Sequence, residues 1–267
     1  MPVIKFKDLN KKANDALSKG FDANHSVKFS TKGASDVKYT AEVKGKGSGK
    51  VASKVSASFK HSSGVNVKKL EVNNKGILAA QVNLEGVIDN TTFTGDIAVQ
   101  AVNVLGQHEK TEVGVNYAND KVNVEIAVSP LLPTAANASV VVKAHDNVLV
   151  GASYGGQLDD TWVHTSNSVG LQYASGGNQV ALTAANNLEN FTLSAHHSHS
   201  DAINIASQIA ISRSNPSVAN ITVGGSYAVD ADTTVKVRKA SDCLFIVLYV
   251  MLLIVLFLGP CALGKNQ

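Results

Sequence analysis

Between Ser26 and Val237 polar and apolar side chains change places at almost every residue, and a period of two confines this stretch to architectures built from strands. Val27 and Phe29 alternate with Ser26, Lys28 and Ser30. Val37, Tyr39, Ala41 and Val43 alternate with Lys38, Thr40, Glu42 and Lys44, and Val51, Val55, Ala57 and Phe59 with Lys50, Lys54, Ser56, Ser58 and Lys60. Val65 and Val67 against Asn66 and Lys68 repeat the scheme. Later, Val122, Val124, Ile126 and Val128 face away from Lys121, Asn123 and Glu125, as Ile203, Ile205, Ile209 and Ile211 do from Asn204, Gln208 and Ser212. With segments such as Ile77 to Glu85, Thr91 to Val104, Asn147 to Tyr154 and Thr233 to Val237, the spacing predicts about sixteen strands. Turn signals at Asn119-Asp120, Asp146-Asn147, Gly155-Gly156, Gly176-Gly177 and Asn215-Pro216 are short, which makes sequence neighbours antiparallel partners.

Alternation alone accommodates two architectures. One is a soluble two-layer β-protein whose apolar faces meet; the other is a sheet closed into a barrel around water, with its apolar face in lipid. Persistence without a domain break favours the barrel, because an open sheet of that many strands rarely stays open and closure removes its edges. Strands of roughly 9 to 11 residues suit a tilted bilayer crossing. Aromatic residues are only 6% of the chain, fewer than a large sandwich core usually buries. Twenty-four basic against 21 acidic residues leave a net charge of +3, almost all of the bases are lysine, and no nucleic-acid footprint results. Cys243 and Cys261 both lie in or beside the terminal apolar run, so no disulfide framework is indicated.

The stretch ahead of the strands has helical period instead. From Phe6 to Ser18 the apolar residues Leu9, Ala13, Ala16 and Leu17 form a narrow stripe, and Gly20 supplies a C-terminal stop. Such a helix serves as a surface element, a targeting presequence or a plug against the inner wall of a pore. It has no arginine and carries Asp8 and Asp15, which argues against a presequence.

Catalytic chemistry finds little support. Gly45 to Lys50 has glycines and lysines but neither the spacing nor the following helix of a phosphate loop. Of His196, His197 and His199, the last two share a strand face but lack a third suitably spaced metal ligand, and Asp159 and Asp160 beside Trp162 form no acid–base pair; Trp162 is better placed as a membrane-interface marker. No enzyme, metal or cofactor is expected.

The segment from Phe6 through Lys7-Asp8-Leu9-Asn10-Lys11-Lys12-Ala13-Asn14-Asp15 to Lys19-Gly20-Phe21 resembles the N-terminal helix of the mitochondrial porins, the voltage-dependent anion channels. Val113-Gly114-Val115-Asn116-Tyr117 and Gly225 to Asp232 are similar to further segments of that family, and the resemblance runs from Met1 to about Val237. It implies an all-β transmembrane antiparallel β-barrel, with nineteen strands in the family against about sixteen here, and the helix in the lumen. It further implies a channel for metabolite anions such as nucleotides in the mitochondrial outer membrane. Its partners would be membrane lipid and those anions, with self-association into a homo-oligomer allowed. On the matching helix positions Asp8, Lys11, Asp15 and Lys19 would face the pore, with Lys12 beside them. The polar parity of the first four strands adds Lys28, Lys32, Lys38, Lys44, Lys50, Lys54, Lys60 and Lys68, together with Glu42. A wide aqueous lumen with more ammonium than carboxylate attracts anions through a field that salt screens, so its selectivity is weak.

Three features depart from the family. Phe21-Asp22-Ala23-Asn24 replaces a glycine-rich linker, no Gly-Leu-Lys triplet falls on a strand, and the unbroken apolar run from Cys243 to Leu258 stands where closing strands belong. The expected division is therefore a helix at 1–20, a barrel at 21–238 and an unmatched hydrophobic tail at 239–267. The tail is either a membrane anchor, preceded by Arg238 and Lys239, or residues translated from noncoding sequence or a variant transcript; if it is genuine, barrel assembly suffers. The rival functions are a protein-import pore of the same architecture and a nonconducting tail-anchored β-protein.

Overall fold

In a computed structural model, residues 1–21, 25–33, 36–45, 49, 51–100, 108–130, 134–158, 161–230 and 233–241 are described. The Asp22–Asn24 linker, most of the Gly45-to-Lys50 turn, Asp159, Asp160, the Trp162 side chain and the apolar run from Cys243 lie outside the described residues. A 3-10 turn at Phe6–Asp8 and a helix α1 at Lys11–Ser18 precede sixteen strands. These are β1 His25–Lys32, β2 Lys38–Gly45, β3 Val51–Lys60, β4 Val65–Asn73, β5 Ile77–Glu85, β6 Thr91–Gln100, β7 His108–Ala118 and β8 Val122–Ser129. They continue as β9 Thr134–His145, β10 Val148–Leu158, β11 Trp162–Ser175, β12 Asn178–Ala185, β13 Asn190–Ser198, β14 Ile203–Ser212, β15 Ala219–Ala228 and β16 Thr234–Ser241. All belong to one sheet in sequence order, as short turns between alternating segments dictate. Two expectations need correction. Gly155 and Gly156 are no turn: both are buried inside β10, which runs on to Leu158. The helix is not continuous from Phe6, because it breaks at Leu9 and Asn10.

The chain forms two compact units. One holds Met1–Phe21, Val141–Ser153 and the residues from Ser166 on; the other holds Asp22–Val140 and Tyr154–Thr165. In the second unit the register carries the alternation from strand to strand. Lys28 stands opposite Glu42, Glu42 opposite Lys54 and Lys54 opposite Asn73, while Phe29, Ala41, Val55 and Val72 form the matching apolar row. That row does not meet a second apolar layer: Phe29 is 68% exposed, Val55 59% and Val72 50%. Large apolar surface left open in this way needs lipid, and the two-layer soluble alternative fails on it. In β4 a bulge at Lys68 and Lys69 interrupts the ladders with both β3 and β5, so two adjacent residues occupy one polar-face step.

In the first unit α1 lies along β13, β14 and β15. It buries Ala13 and Leu17 against Ala206 of β14, while Leu9 is enclosed by Val141 of β9 and Leu149 of β10. Full burial of two leucines contributes about 2 kcal/mol each, enough to hold a helix too short to persist alone in water. The face that receives the helix carries Gln179, Ser194, His196, Asn204 and Gln208, the polar side of these strands. Its opposite side is mostly open, although Ile209, Ala219 and Ile221 form a small buried cluster there.

Candidate functional site

The site residues fall into two groups, one in each unit. The first is the helix and the wall beneath it. Backbone approaches the wall most closely where the strands offer glycine: a Cβ on Gly170 would sit 2.8 Å from the Leu9 Cδ1, and one on Gly224 3.0 Å from the Leu17 Cδ2. Between these seats Gln179 Nε2 donates to the Leu9 carbonyl at 2.9 Å. With that carbonyl engaged by the wall, the helix takes its first α-type bond one residue later, from Asn14 N–H to the Asn10 carbonyl. This explains the break.

At its other end α1 exposes carbonyls that need donors, and β16 provides them. Arg238 Nη1 donates to the Leu17 carbonyl at 3.0 Å and Lys236 Nζ to the Lys19 carbonyl at 3.0 Å. Cations at a helix C-terminus also complement its partial negative charge. The Arg238 guanidinium sits 4.7 Å from the Phe21 ring centroid, and Gly20 turns the chain away with φ +85°. Arg238, expected from sequence to precede a membrane anchor, thus points to the helix. Lys236, Gly170, Gly224, Val141 and Leu149 had no sequence signal beyond ordinary strand positions.

Four of the helix residues expected at the pore pair with one another. Asp8 meets Lys11 at 3.1 Å and Asp15 meets Lys19 at 2.7 Å. The Lys11 ammonium is held above the ordinary lysine value by its hydrogen bond to Asp8 and by that residue's charge. Lys12 is exposed, on the side of the helix near His196. Of the three histidines, His196 faces the helix side, whereas His197 accepts or donates at 2.7 Å with Asn178 and lies 5.9 Å from the His199 ring.

The second group is the polar face of β1 to β5. Lys28, Lys38, Lys44, Lys54 and Lys60 share that face by register, as the parity rule requires. Lys32 pairs loosely with Asp36 at 3.8 Å, both exposed, and Lys50 lies outside the described residues. Lys44, Lys54, Lys60 and Lys68 are not free ammonium groups. Lys44 meets Glu42 at 3.1 Å, Lys54 meets Glu42 at 3.3 Å and Glu71 at 3.2 Å, and Lys69 meets Glu71 at 3.1 Å. Lys60 meets Glu85 at 3.1 Å and Lys68 meets the same carboxylate at 3.8 Å. Glu71, Glu85 and Lys69 were not among the residues expected from sequence. The adjacent pair Lys68-Lys69, with alternation out of phase on its two sides, is the signal that could have found them.

Comparison with known proteins agrees with this construction. The family profile described as eukaryotic porin matches residues 3–253, reaching into the terminal apolar run. The mitochondrial outer membrane protein porin of Candida albicans is 24% identical over 244 residues, which cover 91% of this chain and 85% of that protein. Among solved structures, two engineered variants of the Rhodopseudomonas blastica porin superpose with TM-scores of 0.55 and 0.56. Each is 12% identical, over 82% of this chain and 89% of the bacterial one, so the likeness is one of fold. The profile match over residues 3–253, with the mitochondrial porin relative beside it, places the chain in the eukaryotic porin family, the β-barrel channel proteins of the mitochondrial outer membrane.

Proposed function

We propose that the protein is a voltage-dependent, weakly anion-selective channel that passes ions and metabolite anions such as nucleotides. The observation that carries this reading is the separation of the two sheet faces. In one unit lysines occupy the polar face of β1 to β4 while side chains such as Val27, 74% exposed, cover the opposite face; in the other unit the charged helix lies on the polar side of β13 and β14. In a porin barrel the polar face borders water, and a lysine-rich border draws anions at long range without binding them tightly. Lys12, Lys28 and Lys38 suit that role best, since among the described residues they stand in no ion pair. Voltage dependence rests on the stretch from Phe6 to Lys19, where Lys7, Lys11, Lys12 and Lys19 oppose Asp8 and Asp15. Each charge moved across the full membrane field at 100 mV changes the balance by about 2.3 kcal/mol.

Planar-bilayer recording of refolded protein tests the reading. A reversal potential displaced toward the anion equilibrium in a salt gradient is expected, with the displacement shrinking as salt rises, because the Debye length falls from ~10 Å at 0.1 M to ~3 Å at 1 M. Absence of a pore, or a reversal potential indifferent to the sign of the ion, refutes it.

A further inference from the structure

Strict alternation would send Lys68 and Lys69 to opposite sides of β4, one of them into lipid. The bulge brings both to the polar face, and each meets a different carboxylate: Lys68 reaches Glu85 at 3.8 Å and Lys69 reaches Glu71 at 3.1 Å. Glu71 also holds Lys54, which extends to Glu42 and through it to Lys44. Glu85 holds Lys60 as well, and accepts a hydrogen bond from Asn66 Nδ2 at 3.3 Å. Three carboxylates are thereby shared among five lysines. The carboxylates sit deepest, Glu42 15% and Glu71 12% exposed, with the lysines arranged around them. An open cleft of about 190 Å³ bordered by Glu42, Lys44, Lys54, Glu71, Asn73 and Lys75 leaves the network within reach of mobile ions.

We propose that Glu42, Glu71 and Glu85 are selectivity-determining residues: they hold down the anion preference that the lysine row would otherwise impose. A permeating ion passing at a distance feels the sum of the paired charges, and each carboxylate cancels most of one ammonium. The preference that remains comes from cations outside the network, among them Lys28 and Lys38. A purely structural staple would leave ion selectivity unmoved when the lysines lose their partners, whereas this assignment requires it to rise. The inference rests on the channel reading above.

The test uses the full chain in planar bilayers under a potassium chloride gradient. For a unit charge about 10 Å from the ion path, screened at ~0.1 M salt, Glu71→Gln raises the anion-to-cation permeability ratio about 1.5-fold. The triple variant Glu42→Gln, Glu71→Gln, Glu85→Gln raises it about threefold, and in ~1 M salt the difference vanishes. Glu85 ends β5 and is one-third exposed, so Glu85→Gln is the substitution that disturbs assembly least, and it alone must give the single-charge shift. Open channels with an unchanged reversal potential in Glu85→Gln overturn the inference and leave the channel reading intact. Wild-type protein that forms no pore overturns both.

Discussion

Removing Arg238 should release the C-terminal end of the N-terminal helix. The guanidinium makes one charged hydrogen bond to the Leu17 carbonyl and covers the Phe21 ring. A hydrogen bond from a charged donor contributes about 1.5–3 kcal/mol and a partly exposed cation–π contact about 0.5–1 kcal/mol. Water competes for this half-buried site, so Arg238→Ala should cost about 2 kcal/mol of docking. At about 1.4 kcal/mol per decade, that raises the undocked fraction about 30-fold. An eight-residue helix does not persist off its support, so undocking and unwinding coincide and backbone amides report both. Hydrogen exchange of the protein in lipid nanodiscs, followed on the peptide that contains Asn14 to Lys19, should accelerate about 30-fold. The turn between β12 and β13 should not change. Arg238→Lys keeps a charged donor and should recover part of the protection. Acceleration below about threefold would show that Leu9 and Leu17 in their glycine seats hold the helix without the β16 donors.

Further outcomes follow from other parts of the molecule. Gly170→Val and Gly224→Val each place a side chain in a leucine's seat, so either should displace α1 and expose Lys11 and Lys12 to trypsin while the strands keep their protection. Deleting Lys69 removes the extra residue of the β4 bulge and leaves unbroken alternation from Asn66 to Asn73; the variant should still insert into membranes, whereas deletion of Leu182 from regular β12 should not, as flotation with liposomes would show. Glu189, in the turn after β12, is held below the ordinary glutamate value by Ser214 and then Ser212, with Ser212 Oγ and Ser214 N–H each donating at 2.8 Å. Because its folded value is depressed, this anchorage is fully present above the ordinary glutamate pKa of about 4.3 and fades as pH falls through the folded value. Protection of the Ser214 amide, taken relative to its intrinsic exchange rate, should therefore fall on acidification in wild type and lose that dependence in Glu189→Gln.

The fold was legible because alternation follows from backbone geometry, and the strand positions read from it lie within a few residues of those observed. Where the pattern is strict, as in β14, Ile203 to Ser212 is recovered at both ends. What sequence could not show are contacts made across long separations. Nothing near Leu9 announces that Gln179 will take its carbonyl, so a single helix was expected where there are two pieces. Arg238 beside Lys239 reads as a pair of membrane-flanking charges, but in β16 adjacent residues face opposite ways, and Arg238 alone reaches the helix. Two glycines at 155 and 156 signal a turn from local propensity, and burial within β10 overrides it.

The lysine row is the instructive case, since parity puts Lys28, Lys38, Lys44, Lys54 and Lys60 on one face and says nothing of the carboxylates that pair three of them. Parity says which side of a strand a group occupies; only register says what stands beside it. Lys54 lies between Glu42 and Glu71 because β3 pairs with β2 and β4 in one alignment, and sliding either neighbour by two residues would keep every side chain on its face while separating these charges. Lys68 and Lys69 escape parity altogether, and the bulge that frees them supplies each carboxylate hub with one more cation. A count of lysines along the early strands therefore overstates the positive field, and the permeability ratio of the intact channel should lie nearer to unity than such a count implies.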